Sequence, residues 1–440
     1  MPAIRYTIVC TMATWFLVPQ AWGENLLDAY REALHTSPVL AQAQASLQAA
    51  MQDRPIAESA FLPQLGISAS VGYNTGTFTG FAGLDLNRGY LSNSYSVTLN
   101  QSVFNGQAET ALQEAGSRIQ AQAAAVADAE QQLALQVARS YFGVLQAQAQ
   151  LAVAQKQKKL LDSIYRQTEA ALQIGTGDIV AVREAKARRD AADADLVKAR
   201  NALAVARQGL QRLTHHPTGV LSALKHYQAL GPQPDQMQAW VETAIRDQPR
   251  LLQGEAELRT SREEVRYRQR ARWPRLDLQG IAQHQHGNPF PGFNENQAGV
   301  SLNLSMPLYE GGRIYGTVQK AEAQNVASLD HVESIRDSVV LDTQTAFLNL
   351  KSSVAALRAA RAAVDSAKIS LEGTRTGYAV GTRSIIDLLQ TATDYIRAEQ
   401  DYNVAFYSQI VSRVALKAAA GQLDYTDLQA INALLDRPGP

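Results

Sequence analysis

The sequence contains two copies of one pattern, and this duplication limits the folds that the chain can adopt. Each copy has alternating polar and apolar stretches, a long alanine-rich helical stretch, a Gly-Thr turn and a second helical stretch. The matching segments are Phe61–Leu65 with Arg272–Leu276, Val97–Ser102 with Val300–Ser305, and Ile174–Thr176 with Val380–Thr382. Because a repeat at a fixed spacing indicates a repeated structural unit, the sequence predicts one body that is built from two similar halves.

The charge and the cysteine content exclude several classes of protein. The 440 residues include 41 basic and 41 acidic residues, so the formal net charge is zero. No basic surface for nucleic acid is therefore expected. The single cysteine, Cys10, lies near the N-terminus. A mature chain without it has no disulfide, no thiolate nucleophile and no cysteine metal ligand.

The N-terminal residues 1–23 are typical of a signal peptide. Arg5 supplies a positive charge, and the apolar stretch that follows it is too short to span a bilayer as a helix. Small residues lie at Ala21 and Gly23, as cleavage by a signal peptidase requires. We expect cleavage before Glu24, and the alternative is an uncleaved anchor.

Two segments, 64–105 and 275–308, alternate between apolar and small polar residues, which is typical of β-hairpins. Strands with this alternation fit the wall of a soluble sandwich or the wall of a membrane barrel. The chain has only four such strands, in two hairpins far apart in the sequence, and these are poor material for a sandwich core. Together with the export signal, this favours a barrel in the outer membrane.

Four strands cannot close a barrel. Open strand edges in lipid leave backbone groups without hydrogen-bond partners, at a cost of several kcal/mol for each group. A membrane barrel therefore requires several copies of this chain. Two copies give eight strands and a filled interior, whereas three copies give twelve strands around a lumen. The sequence predicts a trimer if the molecule is a conduit.

Long helices make up most of the remaining sequence. Residues 107–174 contain no proline, and a continuous helix of this length would extend roughly 100 Å. Leucine and alanine recur every seven residues, a spacing typical of helices that coil around each other. Arg189 occupies one position of the leucine pattern and is either a gap in the packing or a residue that faces a channel. A shorter helix is expected over 25–54, with its end at Pro55.

These patterns divide the chain after residue 23 into two repeats, a linker and a tail. The predicted segments are a first repeat at 24–216 (a helix, the hairpin 64–105 and long helices over 106–214), a linker at 217–250, a second repeat at 251–424 (the hairpin 275–308 and long helices over 312–421) and a tail at 425–440. The predicted fold class is therefore α+β with an internal duplication.

No catalytic motif is present. The sequence has no phosphate-binding loop, no nucleophile elbow, no His-Glu-x-x-His helix and no dinucleotide fingerprint. His284 and His286 share one face of a strand and could bind a metal ion as a pair. Two ligands without acidic or cysteine support make a weak site, and two polar residues near a barrel rim are the favoured interpretation. We expect no enzyme activity, no metal and no cofactor.

Three stretches resemble the TolC family of outer-membrane efflux ducts. They are Phe61–Leu65, Met306–Gly312 and Gly377–Leu389, of which the last contains the most specific motif. The resemblance extends over nearly the whole mature chain. It implies a homotrimer with one twelve-stranded transmembrane β-barrel in the outer membrane, which is continued by a twelve-helix α-helical barrel across the periplasm.

The resemblance also implies a function and partners. Family members give the substrates of an inner-membrane pump, of the ABC or RND type, a passive exit across the periplasm and the outer membrane. They act in type I protein secretion, multidrug efflux or both, and a periplasmic adaptor protein docks at the lower end of the tube. The alternative is that this chain is itself a periplasmic coiled-coil adaptor, which would have one helical hairpin flanked by compact β domains.

The resemblance implies an aperture at the second turn. Asp387 matches an acidic residue that lines the constriction, and three copies would form a ring that favours cations. Gln390 stands where a second acidic residue is found in TolC itself, so a single acidic ring is expected. The residues alone allow another interpretation, because Ser384 and Asp387 have the spacing of a capping box. Both roles are compatible.

The resemblance further implies a latch and an adaptor surface. Tyr378 and Arg383 match residues that hold the closed state. Their acidic partner on the first turn is not matched, since Ala181 occupies that region, although Asp178 is close by and is also a candidate N-cap. The adaptor contacts are expected at the glycines that allow each reversal and at the residues after them, namely Gly175, Thr176, Gly381 and Thr382.

Overall fold

The computed structural model describes residues 25–79, 85–224, 227–287 and 294–435. The predicted signal peptide and residues 436–440 of the predicted tail lie outside the described residues. The first copy of the repeat consists of α1 (Leu26–Thr36), α2 (Pro38–Ser59), β1 (Gln64–Thr79), β2 (Asp85–Phe104), α3 (Gly106–Gln173) and α4 (Ile179–Thr214). The second consists of α5 (Met237–Asp247), α6 (Pro249–Arg270), β3 (Arg275–His286), β4 (Asn294–Ser305), α7 (Arg313–Ala379) and α8 (Ile385–Ala419), and α9 (Tyr425–Asn432) follows.

The second copy begins earlier than the sequence predicts. Helices α1 and α5 each have 11 residues, and α2 and α6 each have 22. The second repeat therefore starts at Met237 rather than at 251, and the segment 217–250 contains α5 and the beginning of α6. Pro249 lies in the first turn of α6, where an N–H has no intrahelical partner, so this proline starts a helix. The tail similarly contains α9.

Pro55 does not end the first helical segment. The segment is interrupted instead at Ser37, whose hydroxyl accepts a hydrogen bond from Leu40 N at 3.3 Å and caps α2. Pro55 lies inside α2, which continues to Ser59. Pro55 and Met51, four residues before it, are both exposed. Water can therefore bind the Met51 carbonyl, which lacks its helical donor.

The four strands form one antiparallel sheet in the order β1-β2-β3-β4. The pairing of β2 with β3 joins the two hairpins, although they lie far apart in the sequence. One face is largely apolar, and its exposed side chains include Leu65, Ile67, Val71, Val300, Leu302 and Leu304. The other face is polar, with hydrogen bonds across the strands at Ser68–Ser96 (2.7 Å), Ser70–Ser94 (2.8 Å) and Gln283–Gln297 (2.9 Å). One face of the sheet thus suits lipid and the other suits water.

The sheet of a single chain is open at both sides. β1 and β4 are the ends of the strand order, so in the described part of the chain each has one edge without a strand partner. β1 alone has 16 residues, and its free edge presents a long row of backbone donors and acceptors. Such an edge needs a further strand, above all in lipid, where no water is available to it.

The helical part is a wall in which long helices alternate with stacked short ones. α2 packs on α3 near the sheet, and α4 packs on α3 farther from it. α6 and α8 are stacked in the same way between α3 and α7. Where α4 ends, Thr36 Oγ1 donates to Leu213 O at 3.0 Å. Where α8 ends, Gln248 Nε2 donates to Ala418 O at 3.2 Å. Each level of the wall therefore has four helices from one chain.

Short helices cover the middle of this wall on one side. We call α1, α5, α9 and the described residues of 217–236 the equatorial layer. Tyr141 and Phe142 of α3 are fully buried in the cluster that includes α1 and α9. Trp240 of α5 packs with Phe347 of α7 and Leu416 of α8. The equatorial layer therefore binds α3, α7 and α8 together at the level where α8 ends.

The heptad pattern of α4 packs against the wall. Its buried residues are Ala185, Ala192, Leu196, Leu203 and Leu210. Arg189 is not a gap in this packing, because its guanidinium lies 4.6 Å from the centroid of the Tyr165 ring and its Nη2 atom is 2.8 Å from Asp190 Oδ1. A cation–π contact covers the position.

In the described part of the chain, no helix combines the length and the apolar composition that a membrane span needs.

Leu251 and Leu252 offer a matched test of the contact between α6 and α7. Leu251 is fully buried near Ile335 and Val339, whereas Leu252 is 40% exposed. We expect Leu251→Ala to lower the free energy of unfolding by about 2–5 kcal/mol, because it leaves a cavity. Leu252→Ala should change it by roughly 0.5 kcal/mol or less. Denaturant unfolding in detergent, followed by circular dichroism, measures both changes, and equal losses would contradict this packing.

Candidate functional site at the two helix turns

The two long helix pairs reverse at turns with the same backbone geometry. Gly175 and Gly381 have φ angles of +79° and +78°, in the left-handed region that favours glycine. In each turn the next amide donates to a carbonyl of the preceding helix, at 2.9 Å for Thr176 and 2.8 Å for Thr382. All four residues are exposed. Since α3 and α7 both run away from the sheet, the two turns lie together at the far end of the wall.

The helices that leave the two turns begin with different caps. At α4, Asp178 Oδ1 accepts a hydrogen bond from Val180 N at 3.2 Å. At α8, Ser384 Oγ accepts from Asp387 N at 3.1 Å, while Asp387 Oδ2 accepts from Ser384 N at 3.1 Å. The second arrangement is a capping box. The capping interpretation of Asp387 is therefore confirmed, and Asp178 serves as the N-cap of α4.

The capping box also fixes the charge of Asp387. Hydrogen bonds from the Ser384 amide and from the Ser384 hydroxyl, together with the charge of Arg383, hold the pKa of Asp387 below its usual range. Because the pKa of Asp387 is lower in the folded chain than in the unfolded chain, the ionised carboxylate stabilises the fold. This stabilisation is fully present above the pKa of the unfolded chain and is lost as the pH falls through the pKa of the folded chain. Asp387 is therefore a carboxylate at neutral pH.

A second acidic residue lies close to Gln390. Gln390 is exposed, and its Nε2 atom donates to Asp394 Oδ1 at 3.0 Å. Asp394 is not among the site residues predicted from the sequence, although its spacing of seven residues from Asp387 is a usable signal. The same spacing continues to Asp401. Positions seven apart share one face of a coiled helix. We call Asp387, Asp394 and Asp401, which are all at least partly exposed, the acidic stripe of α8.

A different stripe of α8 is largely buried, against α3 and α7 near the turn and against the equatorial layer higher up. Its members recur every seven residues and are Leu388, Tyr395, Tyr402, Gln409 and Leu416. Gln409 Nε2 donates to Leu230 O of the equatorial layer at 3.0 Å, and Leu416 packs with Trp240. At about 100° per residue, Asp387 and Gln390 lie about 100° and 160° around the helix from Leu388. Gln390 therefore points away from this buried stripe, and Asp387 lies about a quarter of a turn from it.

The predicted latch residues do not meet a partner within one chain. Tyr378 is half-buried and packs beside the apolar cluster of α3, α7 and α8. Arg383 is exposed and acts on Asp387 through its charge. Among the described residues of a single chain, neither the Tyr378 hydroxyl nor the Arg383 guanidinium has a hydrogen bond or an ion pair. Asp178, the nearest acid to Ala181 on the first turn, is engaged as an N-cap.

The two histidines of β3 are engaged across the hairpin. His284 Nδ1 lies 2.6 Å from Asn296 Oδ1, and His286 is hydrogen-bonded to Asn294. The His284 ring also stacks on Tyr95, with centroids 6.4 Å apart. Within the described ranges no group of three or more His, Cys, Asp and Glu side chains is placed to hold a metal ion. These two cross-strand contacts therefore help to fix the register of β3 and β4 near the hairpin loop.

A comparison with known proteins decides the family. Residues 29–215 and 240–422 match the model of the outer membrane efflux proteins. The chain belongs to the outer membrane efflux protein family. The second match begins close to Met237, where the second copy starts in the structure. The chain is therefore an outer-membrane efflux channel, and its helical wall is part of a tunnel that projects into the periplasm.

Individual relatives of this efflux protein cover nearly all of it. It is 32% identical over 436 residues to the outer membrane protein TolC of Escherichia coli strain K12, covering 94% of this chain and 86% of TolC. It is 26% identical over 422 residues to the alkaline protease secretion protein AprF of Pseudomonas aeruginosa, covering 94% and 88%. The solved CmeC outer membrane channel of Campylobacter jejuni has a TM-score of 0.80 at 18% identity, covering 94% and 90%, which shows the same fold.

The adaptor alternative is not supported for this efflux protein. An adaptor was expected to have one helical hairpin between compact β domains. The described residues instead form two long helix pairs below one four-stranded sheet. The family match spans both copies of the repeat.

A matched pair of glycines tests the geometry of the second turn. Gly381 has a positive φ angle, whereas Gly373 lies inside α7 with open space around its Cα. We expect Gly381→Ala to destabilise the turn by roughly 1–2 kcal/mol and Gly373→Ala to stabilise α7 by roughly 0.5–1 kcal/mol. Hydrogen exchange of the neighbouring amides should become faster in the first variant and slower in the second. Unchanged or slower exchange in Gly381→Ala would contradict the turn geometry.

Proposed function

We propose that three copies of this chain form a passive exit duct, without enzymatic activity, for the substrates of an inner-membrane pump. The observation that supports this most strongly is the open four-stranded sheet. Its two free edges need strands from other copies, and its polar face suits a water-filled lumen. Three copies give twelve strands and, from four helices at each level, a twelve-helix tube. The apolar face of the sheet would then contact outer-membrane lipid.

Exposed apolar residues support side-by-side packing of the copies. α4 and α7 lie at the two edges of the lower wall. On α7, Leu341, Leu348 and Ile369 are exposed and separated by multiples of seven residues. On α4, Val197 and Val205 are exposed as well. Exposed apolar stripes of this kind indicate helix faces that lack a packing partner. In the trimer, the α7 edge of one copy would pack against the α4 edge of the next copy and bury both stripes.

The orientation of α8 supports a role for Asp387 at the aperture. The equatorial layer must lie outside the tube, because it would otherwise block the lumen. Asp387 and Gln390 lie outside the buried stripe of α8 and are at least partly exposed, and we place them on the lumen side. Three copies of Asp387, each ionised through its capping box, would form an acidic ring that attracts cations and repels anions.

The exposed turns support docking of a periplasmic adaptor. Gly175, Thr176, Gly381 and Thr382 are exposed at the far end of the wall, where a pump complex would meet the tube. AprF is named for alkaline protease secretion, and the related BepC of Brucella suis is named as an outer membrane efflux protein. We therefore infer type I protein secretion, multidrug efflux or both for this chain, with an ABC or RND-type pump.

The latch is proposed to act between copies. Tyr378 and Arg383 have no polar partner within the described part of one chain, and both lie at the end of the wall. In a trimer the first turn of a neighbouring copy would lie within reach of them. Contacts of this kind would hold the inner ends of α7 and α8 inward, and adaptor and pump binding would shift the balance towards the open state.

Cation block of the reconstituted pore tests the aperture. A trivalent cobalt–ammine complex, added on the tunnel side in a planar bilayer, should block the wild-type pore. Asp387→Asn should raise the blocking concentration roughly tenfold, because three carboxylates are lost, and Gln390→Asp should lower it. Asp178→Asn, which preserves an N-cap at the other turn, is the control and should leave the block unchanged. A block of Asp387→Asn equal to that of the wild type would remove the aperture assignment.

Conductance of the same pore tests the latch. The double change Tyr378→Phe with Arg383→Ser removes one hydroxyl and one charge from each copy. We expect the single-channel conductance to rise at least about twofold, because contacts of roughly 1 kcal/mol each are lost three times over. Arg358→Ser, at an exposed position in the middle of α7, is the control. Conductance equal to that of the wild type in the double variant would count against the latch.

A further inference from the structure

Three side chains join α3 to α8 above the turns. Lys156 Nζ donates to Tyr395 OH at 2.5 Å and to Glu399 Oε1 at 2.6 Å. The Tyr395 hydroxyl in turn donates to Glu399 Oε1, and the ammonium lies 4.5 Å from the centroid of the Tyr395 ring. Each group therefore contacts both others. Glu399 lies 14 residues after Ile385, or about 21 Å along α8 from its first residue.

The environment of these groups strengthens the contacts. Tyr395 is 8% exposed, and Glu399 is largely covered, whereas Lys156 is half-exposed. Although burial alone would lower the pKa of Lys156, its hydrogen bonds to Glu399 and Tyr395 raise it. The ammonium therefore stays charged. Hydrogen bonds between a cation and a carboxylate are about twice as strong as neutral ones and hold a defined geometry.

Below this level α3 is held to α7 and α8 in a different way. Between Lys156 and the turns, the described residues show no hydrogen bond or ion pair from α3 or α4 to α7 or α8. The contacts there are apolar and include Leu161 and Ile164 against Leu371 and Leu388. A cavity of about 380 Å³ also lies between the helices. Apolar contacts have no fixed direction, so helices can slide there at lower cost than at a hydrogen-bonded contact.

The duplication gives an internal comparison. At the spacing that relates Gly175 to Gly381, the position of Lys156 corresponds to Ala362, while Tyr395 and Glu399 correspond to Arg189 and Asp193. Asp193 is hydrogen-bonded to Lys158, within the α3–α4 pair. Ala362 cannot form a polar contact through its side chain. The three-residue contact thus exists between α3 and α8, and the other copy of the repeat has no equivalent of it.

We propose that Lys156, Tyr395 and Glu399 form a clamp that fixes α8 to α3 and sets the upper end of the segment that moves when the aperture opens. This inference rests on the proposed gate at Tyr378 and Asp387. Among the described residues, the clamp is the last polar contact between the two helix pairs before the turns, and the cavity below it leaves room for movement. Loss of the clamp lengthens the mobile part of α7 and α8 and favours the open state.

A charge exchange tests the clamp. Lys156→Glu and Glu399→Lys each break the contact, and the double variant restores a pair of opposite charges. In planar bilayers each single variant should raise the time-averaged conductance about threefold or more, and the double variant should return it towards the wild-type value. Lys159→Glu, on the same helix and lining the same cavity, is the control for a general charge effect. Failure of the double variant to lower the conductance, or an equal rise in Lys159→Glu, would overturn the clamp.

A second measurement separates the clamp from the proposed function. Spin labels at Gln167 of α3 and Glu372 of α7, both exposed and below the clamp, report the distance between the helix pairs without any need for conductance. The distribution should broaden in each single variant and narrow again in the double variant. An unchanged distribution overturns the clamp even if the pore conducts, whereas a wild-type chain that does not conduct counts against the proposed duct alone. Lys156→Gln and Glu399→Gln replace the charge reversals if those variants do not form heat-resistant trimers.

Discussion

The free edges of the four-stranded sheet are the constraint on which the rest of the molecule depends. In lipid, a backbone donor or acceptor without a partner costs several kcal/mol, and β1 and β4 each present a full row of them. A single chain cannot remove this cost, because its two edges lie on opposite sides of the sheet. The helical wall continues beneath the sheet with four helices at each level. The number of copies that closes the barrel would therefore also set the number of helices around the tube. In the proposed duct, the edges therefore account for both the need for several copies and the width of the tube.

The duplication supplies the strands, and the differences between its copies supply the specific chemistry. Both turns use a glycine with a positive φ angle and a threonine amide that closes the helix end. Their backbones are therefore nearly interchangeable. The side chains are not, because Gly177 and Ala181 in the first turn correspond to Arg383 and Asp387 in the second. One copy of the turn thus carries the charges of the proposed aperture, while the other keeps only the helix cap of Asp178.

Local pattern made most of the fold predictable, and contacts between distant residues account for what was missed. Alternation revealed the strands and heptads revealed α3, α4 and α8, because both patterns depend on neighbours in sequence. The duplication then predicted α7. The start of the second copy at Met237 was missed since a proline at a helix start resembles a proline in a linker. The link between Lys156 and Glu399 joins residues 243 positions apart, and no spacing rule reports such a pair. The latch partner that we propose is equally invisible, because it would lie in a neighbouring copy of the chain.

The capping role of Asp387 and its proposed role at the aperture do not compete, because they use different oxygens. Both hydrogen bonds from Ser384 end on Oδ2, and among the described residues Oδ1 has no hydrogen-bond partner. The cap therefore holds the carboxylate in one orientation and keeps it ionised, while one oxygen stays available to a cation. If α8 unwinds at its first turn during opening, the bonds from Ser384 are lost and the pKa rises towards its ordinary value. An aspartate with an ordinary pKa is also ionised at neutral pH, so unwinding would change the position of the carboxylate at the proposed ring rather than its charge.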